Sequence, residues 1–536
     1  MRSGLQCTYA ILIILLGLLL AGCGQPVPVR QNQPAVGLAP PGGNLIMALG
    51  ARDPATLDPA LVGDSTSAFV TQQLFSGLVR LDENLSIQPG IAERWTVSDD
   101  GMTYTFTLRA NARFADGTPI TSEDVRYSLE RATDLGLAST LPARVYLNDI
   151  VGVAEKLDGK ESTISGIQVI DAQTLAITIV GPRSYFLAKL VHPTAFVIDR
   201  RTVEADIAGW TEQPNGSGPF MIEEWRHDQR LVLRRNPNYY ADPARLDRVT
   251  MLMGAAASNP LVLYETGAID FTSVPAYALD RVRDESNPLS RELMSVSQLS
   301  LSYIGMNVNV APFDDVNVRQ AFTLLIDRVR LADLTLSGGV QAARGVLPPG
   351  MPGYNEQLPD PQVDLERARQ LLRESSYGGA EQLPSIVGYG GGWVGLLRDL
   401  AAEELDVMIE VRAYENFGDY LDALDEAQFA LFNIGWVADY PDPQNFLDVL
   451  FRGGSQENYS AYASPEVDAL LDQAASEADE MTRWQLYQEA ERQILADAPI
   501  IPLYHSIDYV LIKPYVQGLN VTPMGILDLS TAELVR

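Results

Sequence analysis

Both cysteines of this 536-residue chain, Cys7 and Cys23, fall near its N-terminus. Everything downstream must hold together without a disulfide, which demands a core large enough to be stable by packing alone. The composition can supply one. Apolar residues make up 46% and charged residues 20% of the chain, near the globular average and unlike a disordered or fibrous protein. At about 100–200 residues per domain, the length suggests three or so lobes. The same cysteine placement removes a thiol nucleophile or a Cys-based zinc site from the body. With 39 Lys+Arg against 69 Asp+Glu, the net charge is −30, which argues against wrapping nucleic acid and disfavours strongly acidic solutes.

The first apolar run, AILIILLGLLLA from Ala10 to Ala21, is too short for a spanning helix, which needs about twenty residues. It has the length of a signal-peptide core and ends in Leu20-Ala21-Gly22-Cys23. Small residues before a cysteine fit the lipobox of bacterial lipoproteins, with cleavage before Cys23 and diacylation of its thiol. An ordinary signal peptide that happens to contain a cysteine is the other reading. The expectation is a signal peptide over 1–22 and a lipid-anchored flexible linker over 23–43, because Gly24–Gly43 is rich in proline and glycine and has no helical or strand period. No later segment approaches eighteen consecutive apolar residues, so the body is expected to be soluble and held near a membrane by its lipid.

From Asn44 the pattern is α/β. Thr103–Leu108 and Thr174–Val180 alternate as half-buried strands. Thr121-Ser-Glu-Asp124 is a capping box, followed by Val125 and Leu129 on one helical face. Ser464-Pro465 opens a helix carrying Val467, Leu470, Leu471 and Ala474. A second, from about Thr482, carries Trp484, Tyr487, Ala490, Ile494 and Leu495. No short-period repeat appears.

No catalytic machinery is evident. His192, His227 and His505 are widely spaced and no HExxH occurs, so no metal is expected. Gly216-Ser217-Gly218 lies in a turn-like stretch and not in a nucleophile elbow, and there is no P-loop. The acids Asp99, Asp100, Asp314, Asp315, Asp439 and Asp442 read mostly as turn formers and helix caps. One segment stands apart. Phe429–Phe446 runs from an apolar strand through Gly435-Trp436-Val437-Ala438-Asp439-Tyr440-Pro441-Asp442, projecting an indole, a carboxylate and a phenol at a strand end. It reads either as a structural Asp-Pro turn with Trp436 in the core, or as a ligand mouth whose carboxylate takes a cation.

At this point the chain resembles the family 5 extracellular solute-binding proteins of bacterial ABC importers. The signposts run from Thr56-Leu-Asp-Pro-Ala60 to Lys513-Pro-Tyr-Val-Gln-Gly518. Between them stand Leu74-Phe-Ser-Gly-Leu-Val-Arg-Leu-Asp82, Ala92-Glu-Arg-Trp95, Phe114-Ala-Asp-Gly117, Gly216-Ser-Gly-Pro-Phe220, Arg235-Asn-Pro-Asn-Tyr239, Pro312-Phe-Asp-Asp315, Trp436-Val-Ala-Asp-Tyr440 and Asp497-Ala-Pro-Ile-Ile-Pro502. The resemblance implies a type II periplasmic-binding-protein fold with a hinge and three lobes: lobe I from 44–75, 206–300 and 505–536, lobe II from 76–205, and lobe III from 301–504. It implies that Asp439 meets a peptide's α-ammonium, with Gly435, Trp436 and Tyr440 lining the same site. Some oligopeptide binders carry an arginine three residues before that tryptophan, where this chain has Asn433. The implied role is extracytoplasmic capture of oligopeptides, by a monomer without cofactor or enzymatic activity, for delivery to a permease with a separate ATPase. A nickel chelate, opine, glycan or haem is the alternative solute within the fold, and a secreted hydrolase the alternative outside it.

Overall fold

A computed structural model describes residues 42–535 except 139–140, 336, 415–416 and 427–428. The apolar run Ala10–Ala21, Cys23 and the spacer up to residue 41 lie outside the described residues. The spacer expected to end at Gly43 is tied down there: Gly43 N–H donates to Asp247 Oδ2 at 2.9 Å and its carbonyl accepts from the Asp247 and Arg248 N–H groups. Among the described residues no helix is long and apolar enough to cross a membrane.

The expected alternation produces the expected elements. Thr103–Leu108 is a strand whose residues alternate between half-buried and buried, and Thr174–Thr178 pairs with it antiparallel. With Ala92–Val97 and Ile167–Asp171 they make a four-stranded sheet. Packed on it is the helix Ser122–Ala132, whose Thr121 and Asp124 form the reciprocal capping box. Pro465–Ser476 and Glu480–Asp497 are helices, the second starting slightly before Thr482 because Asp479 supplies the cap, accepting from Thr482 N–H at 2.9 Å.

The larger sheet has twelve strands. One edge is built from Phe220–Arg226, Arg230–Arg235, Arg248–Met253 and Asn44–Gly50, the other from Ile409–Arg412, Ile386–Tyr389, Leu431–Val437 and Ser300–Met306. The thirteen-residue strand Ile500–Ile512 joins the two halves. Its start pairs with Ser300–Met306, and its end pairs with Leu293–Ser297 and Phe271–Ser273. Beside it the chain crosses in the opposite sense at Gln298–Ser300, where Gln298 N–H donates to Ser506 O at 2.9 Å and Ser506 N–H to Ser300 Oγ at 3.0 Å.

The Gly216-Ser-Gly-Pro stretch is a seam between distant segments. A β-carbon on Gly216 would lie 1.9 Å from Leu74 O, and one on Gly218 2.5 Å from Gln73 O, so only glycine lets the chains approach. Between them, the buried Ser217 Oγ accepts Ser76 N–H at 3.0 Å. This seam ties the chain at Ser76 to Ser217, and Ser76 lines one side of the cavity described next.

Candidate ligand-binding site

A cavity of about 1040 Å³ opens between residues 61–84, 141–146, 191–196 and 520–531 and the end of the strand Leu431–Val437. That volume is enough for a small to mid-sized solute. Six carboxylates line it: Asp64, Asp82, Glu83, Asp439, Glu457 and Asp528. Arg80 is the one Lys or Arg among the lining residues.

The wall at 435–439 has a defined polarity. Ser300–Met306 pairs antiparallel with Leu431–Val437, and Ala438 N–H continues that ladder to Leu299 O. Asn433 faces the other way, its N–H donating to Tyr420 Oη at 3.0 Å and its carbonyl accepting from it at 2.6 Å. Main-chain groups alternate along a strand. The N–H and C=O of Gly435 and Val437 therefore also face away from Ser300–Met306. The parallel neighbour Ile386–Tyr389 is in register only with Leu431 and Phe432. Gly435 and Val437 are exposed to the cavity, and among the described residues no strand covers them. They are free to pair with an extended ligand backbone.

Asp439 follows at the strand's end. Its carboxylate opens onto the cavity yet is ringed by protein: Asn445 Nδ2 donates to Oδ2 at 3.3 Å, and the Tyr146 hydroxyl donates to the carboxylate. Burial pushes its carboxyl up to about 6; the Asn445 and Tyr146 hydrogen bonds oppose the rise and Glu457 adds to it. Among the described residues no cation pairs with it. Asn445 fixes the corner, its Oδ1 accepting from Trp436 Nε1–H at 3.1 Å and Asp439 N–H at 3.0 Å. It can do so because Pro443 starts the wholly buried helix Gln444–Phe451, which puts Asn445 in the first turn.

Of the four residues singled out in the sequence, Gly435, Trp436 and Asp439 line the cavity and Tyr440 does not. Tyr440 is fully buried among side chains of the four-stranded sheet's core, and its hydroxyl donates to Gln444 Oε1. Strand alternation no longer governs direction past residue 437, so its phenol enters the core instead of the cavity. Asn433, at the position some relatives give to arginine, is likewise absent from the lining. Sequence reasoning missed Tyr146, His192 and Asn445. Tyr146 and His192 stack at 3.6 Å with ring planes 9° apart, and both face the cavity. No local pattern signals either of them; only Asn445, at the helix start beyond the Asp-Pro turn, had a readable cue.

The remaining motifs are structural. Asp315 caps the helix Val316–Thr323, and Asp442 accepts from Gln444 N–H at 3.0 Å and from Arg483 Nη2 at 2.6 Å. Among the described residues no group of three or more His, Cys, Asp or Glu is placed to hold a metal.

The fold and this cavity define a type II periplasmic binding protein, with mixed α/β content and a ligand space lined from distant segments. The family follows from comparison. The model of "Bacterial extracellular solute-binding proteins, family 5 Middle" matches residues 86–458, more than half of the chain, and the chain belongs to family 5 of these proteins. The "Probable deoxycholate-binding periplasmic protein YgiS" of Escherichia coli (strain K12) is 31% identical over 480 residues, covering 87% of this chain and 89% of that protein. The periplasmic oligopeptide-binding protein OppA of the same organism is 30% identical over 478 residues, covering 86% and 87%. The solved structure of the Escherichia coli murein tripeptide binding protein MppA matches with a TM-score of 0.78 at 28% identity, covering 92% of this chain and 98% of that one.

Proposed function

We propose that this extracellular solute-binding protein captures peptides by their free amino end, encloses them by hinge closure and presents them to an ABC permease driven by a separate ATPase, without chemical change to the ligand. The observation that carries the reading is Asp439, a cavity-facing carboxylate with no cation beside it among the described residues. A peptide α-ammonium supplies that charge, while the exposed main chain of Gly435 and Val437 pairs with an extended backbone and is indifferent to side chains. The cavity's charge supports an ammonium over an anion: six carboxylates against one guanidinium disfavour a bile-acid anion or other acidic solute. Within this reading lobe I is 44–75 with 206–300 and 505–536, lobe II 76–205 and lobe III 301–504, and the hinge lies where the chain crosses at Gln298–Ser300 and along Ile500–Ile512. Nickel chelates, opines, glycans and haem remain the other solutes of the family to assay.

Calorimetry with Asp439→Ala and with N-acetylated peptide tests it. Losing one partner of a desolvated ion pair costs roughly 3–5 kcal/mol, about a hundredfold to a few thousandfold in affinity. The two losses should not add, since each deletes the same interaction. Tight binding of the acetylated peptide to the wild type, or fully additive losses, ends the ammonium-capture reading.

The tether is part of the proposal. A diacylated Cys23 holds the protein at a membrane surface, since two acyl chains suffice for stable attachment. Partition of the wild type into detergent, abolished in Cys23→Ser, is the expected result; partition that survives the substitution removes the anchor.

A further inference from the structure

His192 lies on the cavity wall, stacked on the Tyr146 ring whose hydroxyl holds Asp439. The residue is 8% exposed. Its two nitrogens are treated differently by the fold. Thr194 N–H donates to Nδ1 at 3.3 Å, and Thr194 Oγ1 lies 2.9 Å from the same atom. A backbone N–H can only donate, so Nδ1 carries the lone pair and the ring proton sits on Nε2. Burial holds the ring neutral, its pKa lowered to about 3, which keeps this tautomer. Among the described residues Nε2 has no hydrogen-bond partner, yet it is not sealed off as the Nε2 of His505 is. His192 itself is among the residues that line the cavity. In the same cavity as the carboxylate that awaits a cation, and linked to it through Tyr146, the fold thus presents one oriented, neutral N–H donor with nothing to bond.

Resting on the peptide reading above, we infer that His192 is a specificity-determining residue whose Nε2–H donates to a carbonyl oxygen of the solute beside the ammonium held by Asp439. The pair then recognises an α-aminoacyl group: a cation and, within a residue of it, an acceptor. A bare alkylamine satisfies Asp439 and leaves the Nε2–H unpaired. A site built to make a hydrogen bond discriminates against ligands that cannot, because a desolvated donor without an acceptor is costly. The Tyr146 stack supplies the rigidity, fixing the imidazole plane and coupling its position to the phenol that bonds Asp439.

The test uses alanine peptides of two to five residues, and the tightest binder is resynthesised with a thioamide at its first or its second carbonyl. Sulfur is a poor acceptor of nearly the same shape and adds no charge. Binding is measured by calorimetry to the wild type, His192→Phe, which keeps a flat ring against Tyr146, and His192→Gln, which keeps an N–H donor. His192→Phe should weaken the parent peptide about tenfold, and one of the two thioamides should weaken wild-type binding by a similar factor. That thioamide should cost His192→Phe nothing further, because both changes delete the same bond, and His192→Gln should recover part of the loss. Equal binding by wild type and His192→Phe, or equal thioamide losses in both proteins at both positions, overturns the inference and leaves the peptide reading intact. Should His192→Phe fail to fold, the wild-type comparison decides alone: no loss with either thioamide overturns it. If no alanine peptide binds the wild type, the peptide reading falls and this inference falls with it.

Discussion

Asp439 and Asp442 belong to the same Asp-Tyr-Pro-Asp turn and have opposite fates. Asp442 is 7% exposed and meets Arg483 Nη2 at 2.6 Å, a guanidinium that also lies over the Tyr487 ring at 5.0 Å. Its counter-charge is built into the chain. Asp439 has an amide and a phenol as partners, a second carboxylate in Glu457 nearby, and a cavity in front of it. The turn is therefore closed on one side by a structural ion pair and open on the other, where a positive group from outside fits. A carboxylate's neighbours and outlook, and not its place in a motif, separate a structural role from a binding one.

The largest effect that can break this comparison is on stability. Arg483→Met strands Asp442 in the interior and should cost roughly 3–5 kcal/mol in chemical denaturation, with little change in peptide affinity of the folded protein. Asp439→Ala should do the reverse, removing affinity and leaving the unliganded protein as stable or more so near neutral pH. A large loss of unliganded stability in Asp439→Ala would make the two carboxylates equivalent.

Next in size is the pH dependence of binding. The folded Asp439 carboxyl is raised from 3.8 to about 6, so the unliganded protein protonates it as the pH falls through about 6. An ammonium binds the ionised form. Affinity for a free-amine peptide should hold above that value and weaken about tenfold from about pH 7 to about pH 5, while Asp439→Asn flattens the profile. The stability linkage runs the other way. Because the folded pKa is the higher one, this group's contribution is full below 3.8 and is lost as the pH rises through about 6.

The smallest effect sharpens the comparison with a third carboxylate. Glu491 is 1% exposed, accepts the N–H groups of Val346 and Leu347 at 2.8 and 2.9 Å, and leaves Oε2 without a partner. Burial pushes it up to about 7 from 4.5. Among the described residues no cation makes an ion pair with it, although the Arg492 charge partly offsets its burial; it lies in the interior and not on the cavity, so the expectation is a stability effect and no binding effect. Its stabilising contribution is complete below 4.5 and is lost as the pH rises through about 7. Glu491→Gln keeps the carbonyl acceptor and removes the charge, and should raise stability by roughly 1–2 kcal/mol at about pH 6, with no change near pH 4. A change in peptide affinity would mean that exposure to the cavity does not separate a binding carboxylate from a structural one.

Much of the local structure was legible. The capping box at Thr121, the alternating strand at Thr103 and the helix opening at Ser464-Pro465 are set by contacts between residues a turn or less apart, and all appear as read. The segment holding Gly435, Trp436 and Asp439 stood out as either a ligand mouth or a structural Asp-Pro turn, and these three residues do line the cavity. The place of Tyr440 was not legible, because a phenol three residues past the strand end at Val437 can turn to either side, and here packing takes it into the core. Tyr146 and His192 were invisible for another reason. Their surroundings in sequence, a short helix and a proline-containing turn, carry no ligand-like pattern.

By itself the sequence determined the order of strands and helices, a body free of disulfides and the placing of a carboxylate beside an indole at a strand end, because periodicity, caps and turn residues act over a few positions. Only the tertiary structure decided which acid keeps a partner and which waits for one. Asp442 lies against Arg483 and Asp439 against Tyr146, each brought from far along the chain. The cavity that Asp439 faces exists only once residues 61–84, 141–146, 191–196, 435–439 and 520–531 are packed together. Desolvation and charge pairing depend on distance through space, which no spacing along the chain encodes.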